Sequence, residues 1–217
     1  MEIGRENSII SVYGVGKIKT KPNIIRIQVS LSRSATTIHE SQVEVNKAAI
    51  QLLKIFEEEK IKKDNIQTES LRFYPEYYWI TDKNKVEHRK IRQKVEQEIS
   101  CKIYNIEKNI ECVKRILDKI ALIKITERFN VIFGIKDYEK KVVEARELAY
   151  KDALEKANRY ASLAGLEIIK AVKISEFEPQ SNRYNEMCFE EESSQIPIGS
   201  IDIGSKIYCD FLAKGKE

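Results

Sequence analysis

Five alanines spaced four apart, Ala145, Ala149, Ala153, Ala157 and Ala161, constrain this chain more than any other feature. At about 3.6 residues per turn such a line drifts slowly around a helix axis, so one flank is lined by methyl groups. The spacing predicts a helix from Asp137 to Gly165, with Val142, Tyr160 and Ala164 within or beside the same arc. Arg146 and Lys156 fall near its edges and must snorkel to water. A helix without bulky side chains approaches a sheet more closely than a leucine-lined one. The segment is therefore expected to be the centre of packing, a scaffold rather than a reaction centre.

Taken in order, Ile9 to Thr20 reads as a strand in which Gly14 and Gly16 leave one face nearly bare, the mark of a bulge or a close backbone approach. After a Lys21-Pro22-Asn23 turn, Ile25, Ile27, Val29 and Leu31 alternate with polar residues, and the two segments are expected to form an amino-terminal hairpin. Thr37 and Glu40 have the capping-box spacing. They start a helix to about Lys60 with Val45, Ala48, Ala49, Leu52 and Phe56 inward. A strand through Leu71 and Phe73 runs into Tyr74-Pro-Glu-Tyr-Tyr-Trp79, and a long strand returns from about His88 to Tyr104 with Ile91, Val95, Ile99, Cys101 and Ile103 on one parity. Asn105 is placed to cap a helix through Ile106, Ile110, Val113, Leu117 and Ile120. A strand through Phe129 and Phe133 then feeds the alanine helix, and strand, helix and strand in tandem suggest a parallel crossover. Gly165 stops the alanine helix, Glu167 to Phe177 is a further strand, and Pro197 to Leu212 closes the chain as another.

This pattern is an α+β fold: a mixed, largely antiparallel sheet with three helices packed against it, in the order ββαββαβαββ. A chain of 217 residues, 42% hydrophobic, buries a proper core as one domain or two tightly associated halves, and is read as one domain over 1–217. Residues 178–195, rich in Glu, Asn, Ser and Gln, are expected to form a mobile loop. Its carboxylates, Glu186 and Glu190 to Glu192, are candidates for a cation but more simply a solvated run.

The net charge of +4 comes from 38 basic and 34 acidic residues interspersed along the chain, which argues against a nucleic-acid partner. No run approaches the roughly 20 apolar residues of a bilayer span. Without an apolar leader the chain as it stands is expected in the cytoplasm, the alternative being an exported protein whose signal peptide has been removed. Cys101, Cys112, Cys188 and Cys209 lack CxxC spacing and read as buried structural thiols. Export would make disulfides possible without choosing their pairing. His39 has one other histidine in the chain for company, too few for a metal or acid-base set.

Catalytic signatures do not occur. Gly14-Val-Gly-Lys17 lacks the first glycine and the hydroxyl residue of a phosphate loop, and there is no GxGxxG, HExxH or GxSxG. The chain is therefore read as not an enzyme, without cofactor, metal or assigned catalytic residue. The candidate interaction surface is Tyr74, Tyr77, Tyr78 and Trp79, which either stack on a partner or cover the core at the end of a hairpin. One reading is a homo-oligomeric assembly protein that buries its strand edges. The alternative is a small-ligand or polymer-binding module built from the aromatic hairpin and the 178–195 loop.

Four ordered motifs carry a resemblance over nearly the whole chain. The opening ISVYGVGKIKTKPNIIRIQVSLS is similar to the glycine-punctuated start of SIMPL domains, and Ile61 to Thr68, followed by Leu71, Pro75 and Tyr77, resembles the signature after their first helix. Ala145 to Ala157, with the Ala164-Gly165 ending, resembles their most recognisable helix. Ile196 to Ile201 resembles the last strand, although Ile198 here separates Pro197 from Gly199. The resemblance implies an α+β fold and a bacterial protein of poorly defined biochemistry. Members are commonly envelope proteins, linked to oxidative stress or known as antigens, with a tendency to homo-oligomers. It carries over no catalytic residue, and the missing export signal departs from the family's habit.

Overall fold

The computed structural model describes residues 8–81, 83, 87–177, 184–187 and 199–216, with backbone alone for 184–187. Strands β1 (Ser8–Thr20) and β2 (Ile24–Ala35) precede helix α1 (Ile38–Glu58), and β3 (Ile66–Thr81) and β4 (Glu87–Tyr104) precede α2 (Ile106–Ala121). Then come β5 (Thr126–Gly134), α3 (Tyr138–Leu163), β6 (Leu166–Glu176), β7 (Tyr184–Met187) and β8 (Ile201–Gly215). The α+β class holds, with three helices. The sheets are two, of order β1-β8-β6 and β3-β4-β2-β5-β7, and every ladder is antiparallel. The described elements fall into two compact units: β1, α3, β6 and β8 in one, and the rest in the other.

The first unit is built on backbone proximity. β1 alternates, with Val12, Gly14 and Gly16 buried and Tyr13, Val15 and Lys17 exposed. A Cβ placed on Gly14 would strike the Ala149 carbonyl and lie 2.8 Å from the Ala153 Cβ, and one on Gly16 would strike the Ala145 carbonyl and lie 2.6 Å from the Ala149 nitrogen. The glycines are the groove, and Ala145, Ala149 and Ala153 are the ridge that enters it. Val142 and all five alanines are buried. Tyr160 and Ala164 are not: Tyr160 sits a full residue, about 100°, off the alanine line, and Ala164 is already the cap residue past the last turn. Gly165 ends the helix at φ +70°, a conformation that suits glycine. The edge cations find partners, Arg146 on Glu176 at 2.6 Å and Lys156 on Asp152 at 2.7 Å.

The second unit is built on side-chain volume. Ile25, Ile27, Val29 and Leu31 of β2 and Val95, Ile99, Cys101 and Ile103 of β4 pack under Val45, Leu52 and Phe56 of α1 and Val113, Ile116 and Ile120 of α2. The opposite face of β2 is polar: Arg26 pairs with Glu69 at 2.6 Å, Gln28 donates to Glu98 at 2.8 Å, and Ser30 donates to Glu96 at 3.2 Å. The capping box at α1 is complete, since Glu40 N–H donates to Thr37 Oγ1 and Thr37 N–H donates to the Glu40 carboxylate, both at 3.2 Å. Asn105 does not cap α2 with its side chain. It stands in the left-handed region at φ 56°, which asparagine tolerates, and so its amide cannot reach the first-turn N–H groups.

The expected β1–β2 hairpin does not form: β1 pairs with β8, and β2 lies between β4 and β5. The two strands need different roofs, because a glycine-bare face demands close backbone approach and an isoleucine-rich face demands bulk. The crossover through α2 does give parallel strands, since β4 and β5 are each antiparallel to the β2 between them. The one through α3 does not, because β5 and β6 belong to different sheets. Within the stretch read as a loop, Tyr184–Met187 forms β7 on β5. Backbone pairing on an open edge asks for no aliphatic side chains. The rest of 178–195, with Cys188 and Glu190 to Glu192, lies outside the described residues.

Candidate functional site

β2 stops pairing with β4 at Gln93, opposite Ala35. Beyond that point β3 and β4 pair only with each other, Pro75 to Thr81 against Gln93 to Glu87, forming a two-stranded arm about 20 Å long at the usual rise per residue. Its root is anchored by the buried Ser41 of α1, whose hydroxyl donates to the Gln93 carbonyl at 2.6 Å.

Alternation along the arm separates the four aromatics singled out above. Tyr77 and Trp79 share a face with Leu71, Phe73 and Ile91, the face that continues from the buried Val95. These five large side chains are 44–65% exposed. Arg89 lies 3.8 Å above the Tyr77 ring, a cation–π contact that keeps one basic group on this face, which Gln93 and Gln97 share. Tyr74 and Tyr78 point the other way. Tyr74 donates to Glu96 at 3.2 Å, and burial, then that carboxylate, push its phenol up. Arg92 covers the Tyr78 ring at 4.1 Å. Of the predicted four, Tyr77 and Trp79 therefore belong to one exposed surface, joined by Leu71, Phe73 and Ile91. Period-two parity carried through the hairpin register was the signal for the last three.

The strand edges are treated unequally. On β1 the Val15 N–H donates to Asp152 at 2.7 Å and the Tyr13 carbonyl accepts from Lys156 at 3.1 Å, so α3 occupies backbone groups that another strand would need. β6 breaks register at Ile168/Lys170 and again at Ala171/Lys173, and β7 has four residues. Charged groups, bulges and shortness are the usual guards of an edge. β3 has its single break at Thr68/Ser70, and from Ser70 to Thr81 it runs in regular register with its outer edge unpaired. Among the described residues it is the long, regular edge without a guard beyond Pro75, which lacks an N–H.

Among the described residues the larger unit also holds two clefts. The bigger, about 570 Å³, is lined by Lys60, Lys62, Lys102, Arg115, Tyr104 and Cys112 among others. Beside it Glu59, 8% exposed, takes Arg115 at 2.7 Å and Lys119 at 3.0 Å, and those hydrogen bonds hold its carboxyl down at about 2. Burial, then Glu59, push the Cys112 thiol up. Burial takes Cys101 to about 12 and raises Cys209. All three thiols are unpaired and stay protonated at neutral pH, which makes them poor nucleophiles. Among the described residues no three His, Cys, Asp or Glu side chains gather as a metal site, and no helix is long and apolar enough to cross a membrane.

Two curated proteins, each named 26 kDa periplasmic immunogenic protein, one from Brucella melitensis and one from Brucella abortus, are 25% identical to this chain over 168 residues. The match takes in 77% of this chain and 66% of theirs. The profile of the SIMPL family, described as a protein of unknown function, matches residues 10–211, from the glycine strand through the alanine helix to β8, and the chain belongs to that family.

Proposed function

We propose that the protein is a non-enzymatic assembly protein that associates with copies of itself through the β3 edge of its arm. The observation that carries this reading is the coincidence, on one strand, of a long regular edge interrupted only by Pro75 and an apolar stripe of Leu71, Phe73, Tyr77 and Trp79. A pairing strand satisfies the open backbone groups, and the stripe supplies the apolar area that makes such pairing stable in water. Arg89 and Arg92, held over tyrosine rings, add a basic margin that sets register rather than bulk affinity. The names of the Brucella relatives support export, and with it the periplasm, over the cytoplasm as the working compartment.

Light scattering and sedimentation over a range of concentrations test the proposal. The expected result is a defined homo-oligomer, and Phe73→Ser with Trp79→Ser shifts it to monomer with little change in melting temperature, because both side chains are already exposed. A strict monomer at high concentration would overturn the reading.

A further inference from the structure

The sheet of the smaller unit shows a second surface, unrelated to the arm. α3 covers one face of β1-β8-β6, and the side chains pointing the other way are exposed on β1 and exposed or half-buried on the central β8. Register sets Tyr13 opposite Tyr208, with ring centroids 5.2 Å apart, and Phe177 joins Tyr13 at 6.0 Å. Ile9 and Val15 flank Tyr13 along β1, and Ile9, Tyr13, Val15 and Phe177 are 40–53% exposed. A soluble sheet with a free face normally fills it with polar residues. This one carries an apolar centre.

Lysines surround that centre. Lys17 and Lys19 continue β1, Lys206 stands on β8, and Lys170 and Lys173 stand on β6. None forms an ion pair with another described residue. The Lys206 ammonium lies 4.8 Å from the Tyr13 ring and 5.7 Å from Phe177, and that of Lys173 lies 5.9 Å from Tyr208. Three carboxylates share the face: Glu167, paired with Lys214 at 2.8 Å, Asp202, opposite Lys19, and Asp210, which accepts the Ser11 hydroxyl at 2.6 Å and is held below the usual range first by that bond.

The charge decides what fits. A second copy laid on this face would set lysines against lysines. A nucleic-acid strand would match the ammonium groups but has no use for Ile9 and Val15, which neither stack on bases nor meet phosphates. A flat face with aliphatic and tyrosine side chains at its centre and long-stemmed cations around them matches the boundary between acyl chains and anionic headgroups. We propose that the open face of the β1-β8-β6 sheet docks on an anionic lipid surface, with Ile9, Tyr13, Val15 and Phe177 at the acyl boundary and the lysines on the headgroup phosphates.

The test mixes the full chain with phosphatidylcholine vesicles, with and without phosphatidylglycerol, and reads co-sedimentation. Binding is expected to require phosphatidylglycerol and to weaken with salt. Lys17→Glu with Lys206→Glu lowers the partition coefficient about 25-fold or more, each lost lysine accounting for roughly fivefold before the reversal is added, while the thermal melt stays in place. Depth separates this face from the arm. In a Trp79→Phe background the indole introduced by Phe177→Trp is quenched by brominated acyl chains, whereas Trp79, the single tryptophan of the native chain, is not. Equal binding to both vesicle types, full binding by the double lysine variant, quenching confined to Trp79, or displacement from vesicles by single-stranded RNA would each overturn the proposal.

Discussion

α3 meets β1 of the smaller sheet backbone to backbone at Gly14 and Gly16, while α1 and α2 rest on the larger sheet through layers of branched side chains. In the first contact Gly14 and Gly16 leave no space that a rotamer change could surrender, because the atoms facing them are main-chain carbonyl and amide groups of α3. In the second, Ile27 or Leu52 loses a methylene and its neighbours partly close the gap. The contact without side chains is the brittle one, and the contact rich in them yields by degrees. The same contrast runs through the charged pins. Asp152 and Lys156 hold α3 to the β1 backbone, whereas Glu59 holds the end of α1 to side chains of α2.

The largest break in that comparison is Gly14→Ala or Gly16→Ala. Each forces α3 off the strand and is expected to cost about 3 kcal/mol or more, against about 1 kcal/mol for Ile27→Val in the larger core. Chemical denaturation of the three variants measures the difference, and equal costs would show that α3 yields as the other helices do. Next comes Asp152→Ala, which opens the Val15 N–H to water and removes the partner of Lys156, for about 1.5 kcal/mol. It also makes β1 resemble β3, so a new self-association is expected that persists when Phe73 and Trp79 are replaced by serine. Sedimentation of the combined variant reads this directly.

The smallest effect concerns acid. Glu59 titrates near 2 in the folded chain, against 4.5 for an ordinary glutamate, so its contribution is fully present above about pH 4.5 and is lost as pH falls toward 2. The exposed Arg115 partner limits it to about 1 kcal/mol. Glu59→Gln flattens this part of the stability profile between pH 4.5 and 2, and an unchanged slope there would show that the pair contributes nothing.

Local signals were legible before any coordinates. The Thr37–Glu40 box, the Val113–Ile120 spacing of α2 and the four-residue alanine line each act within one or two turns, where periodicity and capping are decided by neighbours in the chain. Gly14 and Gly16 were recognisable as a site of close approach, but not what would approach. The candidate contact surface was half legible: Tyr77 and Trp79 lie on it, while Tyr74 and Tyr78 are turned to the polar face by the alternation that brings in Ile91 from the opposite strand. Asn105 misled because a cap depends on φ as well as residue type. The guard on β1 was not legible: Lys156 reads only as a cation snorkelling at the edge of the alanine arc, and Asp152 gives no signal until the strand lies beneath both.

By itself the sequence determined the helices, the bare and bulky strand faces, and the family, because these are properties of spacing along one chain. Strand partnership was decided only in three dimensions. Pairing β1 with β8 rather than β2 closes a loop of most of the chain, and what repays that entropy is the entry of the alanine ridge of α3 into the glycine groove. No window of sequence contains both halves of that fit, and it is the fit that sets Asp152 and Lys156 against the β1 edge.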